Sequence, residues 1–391
     1  MRIGIDASTI LNPEIGEAAG KGHYTFMLIR HLLKMDADFK NGKNEYVLFF
    51  DNRVRKKDIE RFKMKSVKIH HFPFASHRRY LPGIYSEVLI SGTLMREKLD
   101  ILHSPGGFIP LTYRGKTIVT ESNLAIHKFS DMFPRYQRLS AVFTRAILKK
   151  ADFIITGSQA SKSDIGDFFG LPGSKIKSIY KGIDQRFFNK VEQKEILRVR
   201  QKYKIRGRYF LFLSTIKPIN NLSRLVEIFA GARRELAKQE NQPHYQLVLA
   251  GKEGWLSDEV EEMTQAFRLA KDVILTGYIP PEDLNGLYQD ADLFLFPPFY
   301  EEFGSPALEA MAIGVPVIAS KTPALIETLG DAAMFIEPED AQKWARAVVE
   351  LAQNEGKRND LIRLGLIQAR KYTWEKTAEE TLKVYRKVLG I

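Results

Sequence analysis

Two glutamates eight residues apart, Glu301 and Glu309, flank a segment whose residue types suit anion binding. Gly304, Ser305 and Pro306 lie between them, after an apolar strand pattern and before a helical pattern. Serine is a favourable helix N-cap, and proline suits the first helical position. The pattern therefore predicts a helix whose N-cap is Ser305 and whose first residue is Pro306. Backbone N–H groups at such a helix end bind phosphate.

The two carboxylates add a second chemistry to this segment. Glu301 is expected in the loop and Glu309 in the first turns of the helix. Both can accept hydrogen bonds from sugar hydroxyls while the helix end holds a phosphate. The alternative is that Glu301 is solvated and Glu309 only offsets the helix dipole. The residue types alone leave both interpretations open.

The elements that must position these residues alternate between strand and helix patterns along the chain. Short apolar, β-rich runs occur on both sides of residue 190, separated by helix-period stretches. This alternation predicts the α/β fold class, with two Rossmann-like domains whose parallel sheets are covered by helices. We expect ligands beyond the carboxyl ends of the strands, in the cleft between the domains. The predicted segments are residues 1–190, residues 191–372 and a final helix in residues 373–391.

Composition excludes several classes of protein. The 391 residues are 44% hydrophobic and 27% charged, which excludes a largely disordered or collagen-like chain. There is no cysteine, so disulfides, thiolate catalysis and cysteine-ligated metals are excluded. No apolar run approaches the length of about 18 residues that a membrane-spanning helix needs, and residues 1–6 are expected to be a strand, not a signal peptide.

The net charge of +12 is concentrated in the first half of the chain. Residues 1–190 hold 32 Lys and Arg against 18 Asp and Glu, and the basic residues cluster in segments 53–79 and 132–150. Basic amphipathic segments can lie on an anionic membrane, and the alternative is a helix packed on the sheet with a solvated basic face. A nucleic-acid partner is not expected, because no helix-turn-helix, RNA-binding or zinc-finger signature is present.

Metal and hydrolase chemistry have weaker signals. Two Asp-x-Asp triplets, at residues 36–38 and 290–292, fall at a predicted helix end and before a predicted strand. Because of these positions, we expect no metal at either triplet. Elsewhere in the sequence, no His, Asp and Glu cluster has zinc spacing. No Gly-x-Ser-x-Gly turn supports a hydrolase triad.

Residues 296–311 resemble the E-x7-E signature of family 4 retaining glycosyltransferases, which have the GT-B fold. Glu301 and Glu309 are the two glutamates of that signature. The resemblance extends over essentially the whole chain, through further blocks at residues 249–255, 275–279, 287–292, 312–317 and 372–374. It implies two facing Rossmann-like domains and a final helix that crosses back to the N-terminal domain.

The resemblance also implies roles for individual residues. In that family the first glutamate contacts the sugar of a nucleoside diphosphate sugar, and the second contacts the ribose. The amides at the helix end face the sugar and diphosphate, and the segment near Ile279 lies by the base. The implied donor-binding residues in the C-terminal half are Gly251, Ile279, Phe303, Gly304, Ser305, Pro306 and Glu309. No metal or other cofactor is implied.

A glycine loop in the N-terminal half resembles the family's loop that approaches the donor phosphates. Gly20, Lys21 and Gly22 follow the first strand pattern and precede a helical pattern. Two glycines at this spacing are a weak signal, because the third glycine of a dinucleotide fingerprint is absent. A plain strand-to-helix turn is the alternative.

The sequence departs from the family at two places that bear on catalysis. Ser122 and Asn123 stand where close relatives have His-Asp beside the reacting sugar, and Ile219 and Asn220 stand where they have a basic pair beside the diphosphate. Cations there stabilise charge that develops on the leaving group, so each loss is expected to slow turnover roughly a hundredfold. Lys217 is the nearby cation, and Lys21 is a second candidate. The predicted catalytic residues are Glu301, Ser122, Asn123 and Lys217.

Together these features predict a retaining glycosyltransferase that moves a hexose from a UDP- or GDP-sugar to a hydroxyl of a glycan or lipid-linked acceptor. The alternative is an impaired pseudo-glycosyltransferase that binds sugar nucleotides or glycans as a partner subunit. A third hypothesis is a sugar-nucleotide epimerase of the same fold. Acceptor contacts are expected in loops 72–83 and 106–113. We expect a cytoplasmic protein with peripheral contact to the inner face of the membrane.

Overall fold

The computed structural model describes residues 1–10, 20–38, 44–51, 53–54, 56–72, 85–122, 124–238, 243–252 and 257–391. The chain divides into two compact units, which we call unit 1 (residues 1–182 and 374–391) and unit 2 (residues 183–373). The sequence pattern places the first boundary at residue 190, and the structure places it after Gly182. The reason is that Ile183 and Phe187 are buried in the core of unit 2.

Unit 1 contains a seven-stranded sheet in which all adjacent strands are parallel. Its strands are β1 (Arg2–Asp6), β2 (Glu45–Phe50), β3 (Val67–His71), β4 (Ile101–Ser104), β5 (Thr117–Thr120), β6 (Phe153–Thr156) and β7 (Ile176–Ser178). The strand order is β3-β2-β1-β4-β5-β6-β7. The order reverses between β1 and β4, and such a reversal is where doubly wound sheets bind ligands.

Helices connect these strands, as the alternating pattern predicts. They are α1 (Lys21–Asp38), α2 (Lys56–Ile59), α3 (Ser91–Arg96), α4 (Ala125–Lys128), α5 (Arg135–Lys150) and α6 (Gln159–Phe169). A π-helical segment, Tyr85–Ile90, leads into α3. Ser158 caps α6 by accepting a hydrogen bond from the Ser161 amide.

Unit 2 repeats the architecture with a six-stranded parallel sheet. Its strands are β8 (Arg208–Leu213), β9 (Tyr245–Ala250), β10 (Val273–Gly277), β11 (Leu293–Phe296), β12 (Val317–Ser320) and β13 (Ala333–Ile336). The order is β10-β9-β8-β11-β12-β13, so the reversal lies between β8 and β11. Strand β11 is wholly buried, which is why its sequence is apolar without alternation.

Helices also connect the strands of unit 2. They are α7 (Gln193–Lys202), α8 (Leu222–Leu236), α9 (Ser257–Ala266), α10 (Pro281–Gln289), α11 (Ser305–Ile313), α12 (Pro323–Leu329), α13 (Ala341–Gln353) and α14 (Glu355–Ala369). A 3₁₀ turn at Gln185–Phe188 precedes α7.

The last helix, α15 (Trp374–Leu389), belongs to unit 1 and packs against α1. Trp374 and Tyr385 are buried in the core of unit 1. The Thr377 hydroxyl donates to the Tyr180 carbonyl at 2.8 Å. A Cβ on Gly182 would lie 2.2 Å from the Trp374 backbone nitrogen, so the close approach of these two backbone segments needs a residue without a side chain.

The predicted fold class is confirmed. Both units are α/β with parallel sheets covered by helices, and each has its own hydrophobic core. Within the described ranges, no helix is both long enough and apolar enough to cross a bilayer.

Candidate functional site

The two glutamates of the predicted site lie at the carboxyl edge of the unit 2 sheet, beside its strand-order reversal: Glu301 in the turn between β11 and α11, and Glu309 within α11. The helix begins at Ser305, and its N-cap is Gly304 with φ +84° and ψ 36°. The predicted N-cap, Ser305, is therefore wrong by one residue, and Pro306 is the second helical residue. A Cβ on Gly304 would lie 2.5 Å from Leu325 Cδ2, so both the backbone conformation and the packing against α12 favour glycine.

Glu301 folds back onto the start of this helix. Its Oε1 accepts hydrogen bonds from the Gly304 amide at 3.0 Å and the Phe303 amide at 3.3 Å. The Phe303 carbonyl accepts from the Thr328 hydroxyl at 2.7 Å, which fixes the peptide. The Glu301 carboxylate thus occupies the Phe303 and Gly304 N–H groups, which could otherwise bind an anion. The Phe303 ring is fully buried, so of this predicted donor contact only the backbone can reach a ligand.

Glu309 lies in the middle of α11 and is half-buried. Burial raises the pKa of its carboxyl to about 7, and the nearby Arg186 and a hydrogen bond from Tyr288 oppose that rise. The buried Tyr288 hydroxyl lies 3.0 Å from Glu309 Oε2 and 3.2 Å from the Pro306 carbonyl. Glu309 is therefore a carboxyl whose charge changes near neutral pH. Tyr288 lies in the resembling block 287–292, but the resemblance assigns it no role there, and Arg186 lies outside all of the resembling blocks.

The ends of β8, β9 and β10 meet next to this turn. Gly251 has φ +148°, and a Cβ there would lie 1.8 Å from the Ser214 carbonyl oxygen. The Gly251 amide donates to the Gly277 carbonyl at 3.0 Å. Gly251 therefore lets three backbone segments converge at the carboxyl edge of the sheet. Ile279, the predicted contact near the base, is 4% exposed.

The turn after β8 contains the positions of the missing basic pair. Ile219 and Asn220 lie in a 3₁₀ turn, Pro218–Asn220, and each is 6% exposed. Asn220 Nδ2 donates to the Thr215 carbonyl at 2.5 Å and to the Ser214 hydroxyl at 3.2 Å. The Asn220 side chain thus stabilises the turn, and neither residue supplies a cation. Lys217 precedes the turn and is half-buried.

In unit 1 the predicted glycine loop lies at the start of α1. Gly20 has φ +62° and precedes the helix, Lys21 is the first helical residue, and Gly22 is buried inside the first turn. The pair Gly20 and Gly22 is thus split between loop and helix. The Lys21 ammonium donates to the Gly106 carbonyl at 2.9 Å. This contact brings α1 to the end of β4, at the strand-order reversal of unit 1.

Ser122 follows β5 at the same edge and is half-buried, whereas Asn123 lies outside the described residues. The Ser122 amide donates to Glu121 Oε1 at 2.9 Å. Glu121 is 4% exposed, a buried carboxylate that the sequence reasoning passes over. Lys21, Gly106 and Glu121 therefore share one polar region of unit 1.

Both Asp-x-Asp triplets have structural partners. Asp36 accepts from the Tyr46 hydroxyl at 2.5 Å, Asp290 pairs with Arg200 at 2.5 Å, and Asp292 accepts from the Arg208 Nε at 2.9 Å. No group of three His, Asp or Glu side chains within the described ranges is arranged to hold a metal ion.

Comparisons with known proteins agree with this architecture. Residues 193–365 match the family described as glycosyl transferases group 1, and residues 22–187 match glycosyltransferase family 4. The chain is 29% identical over 288 residues to O-antigen chain mannosyltransferase B of Escherichia coli, a match that covers 73% of this chain and 74% of that protein.

Two solved structures share the fold. A sucrose-phosphate synthase from Thermosynechococcus elongatus has a TM-score of 0.75 at 19% identity, covering 100% of this chain and 99% of that one. The Anabaena protein HepE, in complex with UDP and glucose, has a TM-score of 0.71 at 18% identity, covering 98% and 100%. The two family matches together cover most of the chain, and the solved structures supply the fold. The chain therefore belongs to the group 1 glycosyltransferases and has the GT-B fold.

Proposed function

We propose that the chain is a retaining glycosyltransferase that moves a hexose from a nucleoside diphosphate sugar to a hydroxyl of a glycan or lipid-linked acceptor. The observation that supports this most is the turn into α11, where Glu301, Gly304 and Glu309 place two carboxylates and a helix start at the carboxyl edge of one sheet. The relative's name, a mannosyltransferase, points to mannose as the hexose. HepE has also been solved in complex with UDP-glucose, which supports a sugar nucleotide as donor.

The proposal gives Glu309, Tyr288 and Glu301 separate roles in donor binding. Ionised Glu309 accepts hydrogen bonds from the ribose hydroxyls, while the Tyr288 hydroxyl holds the carboxylate in place. Glu301 leaves the Gly304 and Phe303 amides when the donor arrives, so that those N–H groups bind the donor and the carboxylate receives sugar hydroxyls. The donor thus replaces an internal hydrogen-bond partner, which avoids leaving the amides unpaired.

Leaving-group stabilisation is proposed for Lys217 and Lys21, with Ser122 and Asn123 near the reacting sugar. No metal is required in this scheme, because ammonium groups and helix-end amides supply the positive charge.

The test is turnover of GDP-mannose and UDP-glucose, with free and transferred sugar measured by NMR. A working retaining enzyme releases or transfers the sugar with the anomeric configuration of the donor. Glu309→Ala should abolish nucleotide binding, whereas Glu261→Ala, which removes an exposed carboxylate from α9, should not. Inverted product would contradict the retaining proposal.

The rival proposal is a pseudo-glycosyltransferase that binds its ligand without turning it over. Burial of Ile219 and Asn220 favours it, because neither position offers a cation to the leaving group. The same assay separates the two proposals. Tight nucleotide binding without any sugar release, with glycan and lipid acceptors present, would support the rival.

We also propose that α5 contacts an anionic membrane. Val142 and Phe143 are 70% and 62% exposed on this helix, beside the exposed Arg135, Arg145 and Lys149. On an anionic membrane, the basic side chains can bind the negatively charged lipid headgroups, and the apolar side chains can insert among the acyl chains beneath them. Co-sedimentation should show binding to phosphatidylglycerol vesicles and little binding to phosphatidylcholine vesicles. Replacing Val142 and Phe143 with serine should remove it, and unchanged binding would refute the assignment.

A further inference from the structure

A short turn of unit 2 brings a cation to the helix that contains Glu309. Arg186 lies in the 3₁₀ turn Gln185–Phe188, which packs against α11. Asn285 of α10 fixes this turn, because its Nδ2 donates to the Arg186 carbonyl at 2.6 Å. The Arg186 guanidinium donates from Nη1 to the Pro281 carbonyl, at the start of α10, at 3.4 Å. The backbone and the side chain of Arg186 are therefore both held by α10.

A pair of buried aromatic rings connects Arg186 with the surroundings of Glu309. The Arg186 Cζ lies 4.8 Å from the centre of the Phe187 ring. The Phe187 ring meets the Tyr288 ring edge to face, with 5.7 Å between the ring centres, and both rings are fully buried. The Tyr288 hydroxyl in turn lies 3.0 Å from Glu309 Oε2. Packing thus fixes the guanidinium, the tyrosine and the carboxyl as one cluster.

The guanidinium keeps part of its hydrogen-bonding capacity unused. Arg186 Nε is shielded from solvent and has no hydrogen-bond partner among the residues that the structure describes. Asp184 Oδ2 lies 3.7 Å from Nε, which is an ion-pair distance but too long for a hydrogen bond. A buried N–H group without a partner costs free energy, and a catalytic or binding role is one physical reason to keep such a group.

The charge of Arg186 acts on the ionisable groups of this cluster. Burial raises the pKa of the Glu309 carboxyl and of the Tyr288 hydroxyl, and the Arg186 charge opposes both rises. Asp184 acts on Glu309 in the opposite direction. In the described part of the chain, the groups that act on Glu309 are Arg186, Asp184 and Tyr288; α14, β11 and β12, which also pack against α11, add none. Arg186 is therefore the cation that favours a charged Glu309.

We propose that Arg186 is a positioning residue for donor binding, because its guanidinium holds Glu309 in the charged form that accepts hydrogen bonds from the ribose. A neutral carboxyl keeps fewer acceptor sites for those hydroxyls. The inference rests on the proposed donor site and adds to it a residue that lies outside the family signature. It also makes nucleotide binding depend on pH, with the lower limit of the binding range set by Arg186.

The experiment measures nucleotide affinity by calorimetry at pH 6, 7, 8 and 9 in the full chain, with whichever of GDP and UDP the wild type binds. Arg186→Gln removes the charge, and Arg186→Lys keeps it. The control, Arg234→Gln on α8, removes the same charge from an exposed residue. A second readout is the titration of the Glu309 carboxyl in ligand-free protein, followed by carbon-13 NMR, with Glu309→Gln to identify its signal.

A variant of opposite sign completes the set. Asp184→Asn removes the negative charge that opposes Arg186. Asparagine can still cap the turn, where Asp184 Oδ1 accepts from the Arg186 amide at 3.1 Å. This variant tests the electrostatic argument while the Arg186 side chain is left in place.

We expect Arg186→Gln to move the midpoints of Glu309 titration and of nucleotide binding upward by about one pH unit. At pH 6, below both midpoints, its nucleotide affinity should therefore be about tenfold lower than that of the wild type. At pH 9 the two affinities should agree within about threefold, because Glu309 is charged in both proteins. Asp184→Asn should move both midpoints downward, and Arg186→Lys and Arg234→Gln should stay close to the wild type.

Two results would overturn the proposal. An equal loss of affinity at every pH would give Arg186 a nucleotide contact or a structural role instead. A Glu309 titration that Arg186→Gln leaves unchanged, or that Arg234→Gln moves as far, would remove the electrostatic argument. Failure of the proposed function is a different observation: the wild type then binds neither GDP nor UDP at any pH, and the role of Arg186 in donor binding falls with it whatever the NMR titration shows.

Discussion

Replacing Glu309 with glutamine should stabilise unit 2 in a pH-dependent way. Burial raises the pKa of this carboxyl from 4.5 to about 7, so the folded state favours its neutral form. A group with a raised pKa contributes stability below its unfolded value and loses that contribution as pH rises through its folded value. Wild-type stability should therefore fall between about pH 5 and pH 8, as Glu309 ionises in its buried place.

The size of the effect follows from the two pKa values. The interval from 4.5 to about 7 corresponds to up to about 3 kcal/mol of unfolding free energy, and partial exposure of Glu309 reduces that figure. Glutamine keeps the shape of the side chain and its hydrogen bond with Tyr288, but it carries no charge at any of these pH values. The stability gained by Glu309→Gln should therefore be small at pH 5 and largest at pH 8.

Urea unfolding of the ligand-free protein at pH 5, 6, 7 and 8 measures this difference. The control is Glu261→Gln on α9, where the carboxylate is exposed and should give no pH-dependent gain. The reasoning would be refuted if the difference in unfolding free energy between Glu309→Gln and wild type did not change from pH 5 to pH 8. A gain at high pH, together with loss of nucleotide binding, would show that a destabilising carboxylate is present for its function.

Three further variants test individual contacts of unit 2. Tyr288→Phe removes a hydrogen bond that lowers the Glu309 pKa. Binding of the nucleotide that the wild type binds, GDP or UDP, measured from pH 6 to pH 9, should therefore reach half its maximum at a higher pH; an unchanged midpoint would argue against the contact. Gly304→Ala should cost on the order of 1–3 kcal/mol in urea unfolding, because of its positive φ and the close approach of Leu325. Gly251→Ala should cost more, since its Cβ would meet a backbone oxygen at 1.8 Å, and the reverse ranking would contradict the packing described.

The strands were predictable because most of them are buried on both faces. A buried parallel strand such as β11 is an uninterrupted apolar run, and turn residues mark its ends. The start of α11 was predictable only to within one residue. Serine at position 305 is a favourable cap by type, but the close packing of Leu325 selects the glycine before it, and that contact is not visible in local sequence.

The site partners were not predictable from local patterns. Tyr288 reaches Glu309 from α10, and Lys21 reaches the Gly106 carbonyl, after β4, from the start of α1. Such contacts depend on strand order, which a single sequence does not contain. The predicted roles of Ser122, Asn123 and Lys217 stay predictions.

The most direct test of the donor site that we propose in unit 2 is calorimetric titration of GDP, UDP, GDP-mannose and UDP-glucose into wild-type protein and Glu309→Ala, with Glu261→Ala as the control. We predict that one nucleotide series binds the wild-type protein and the control with similar affinity. Glu309→Ala should lose that binding, because it removes the carboxylate that we propose accepts hydrogen bonds from the ribose. Binding that persists in Glu309→Ala, or wild-type protein that binds none of the four compounds, would contradict a donor site built on Glu309.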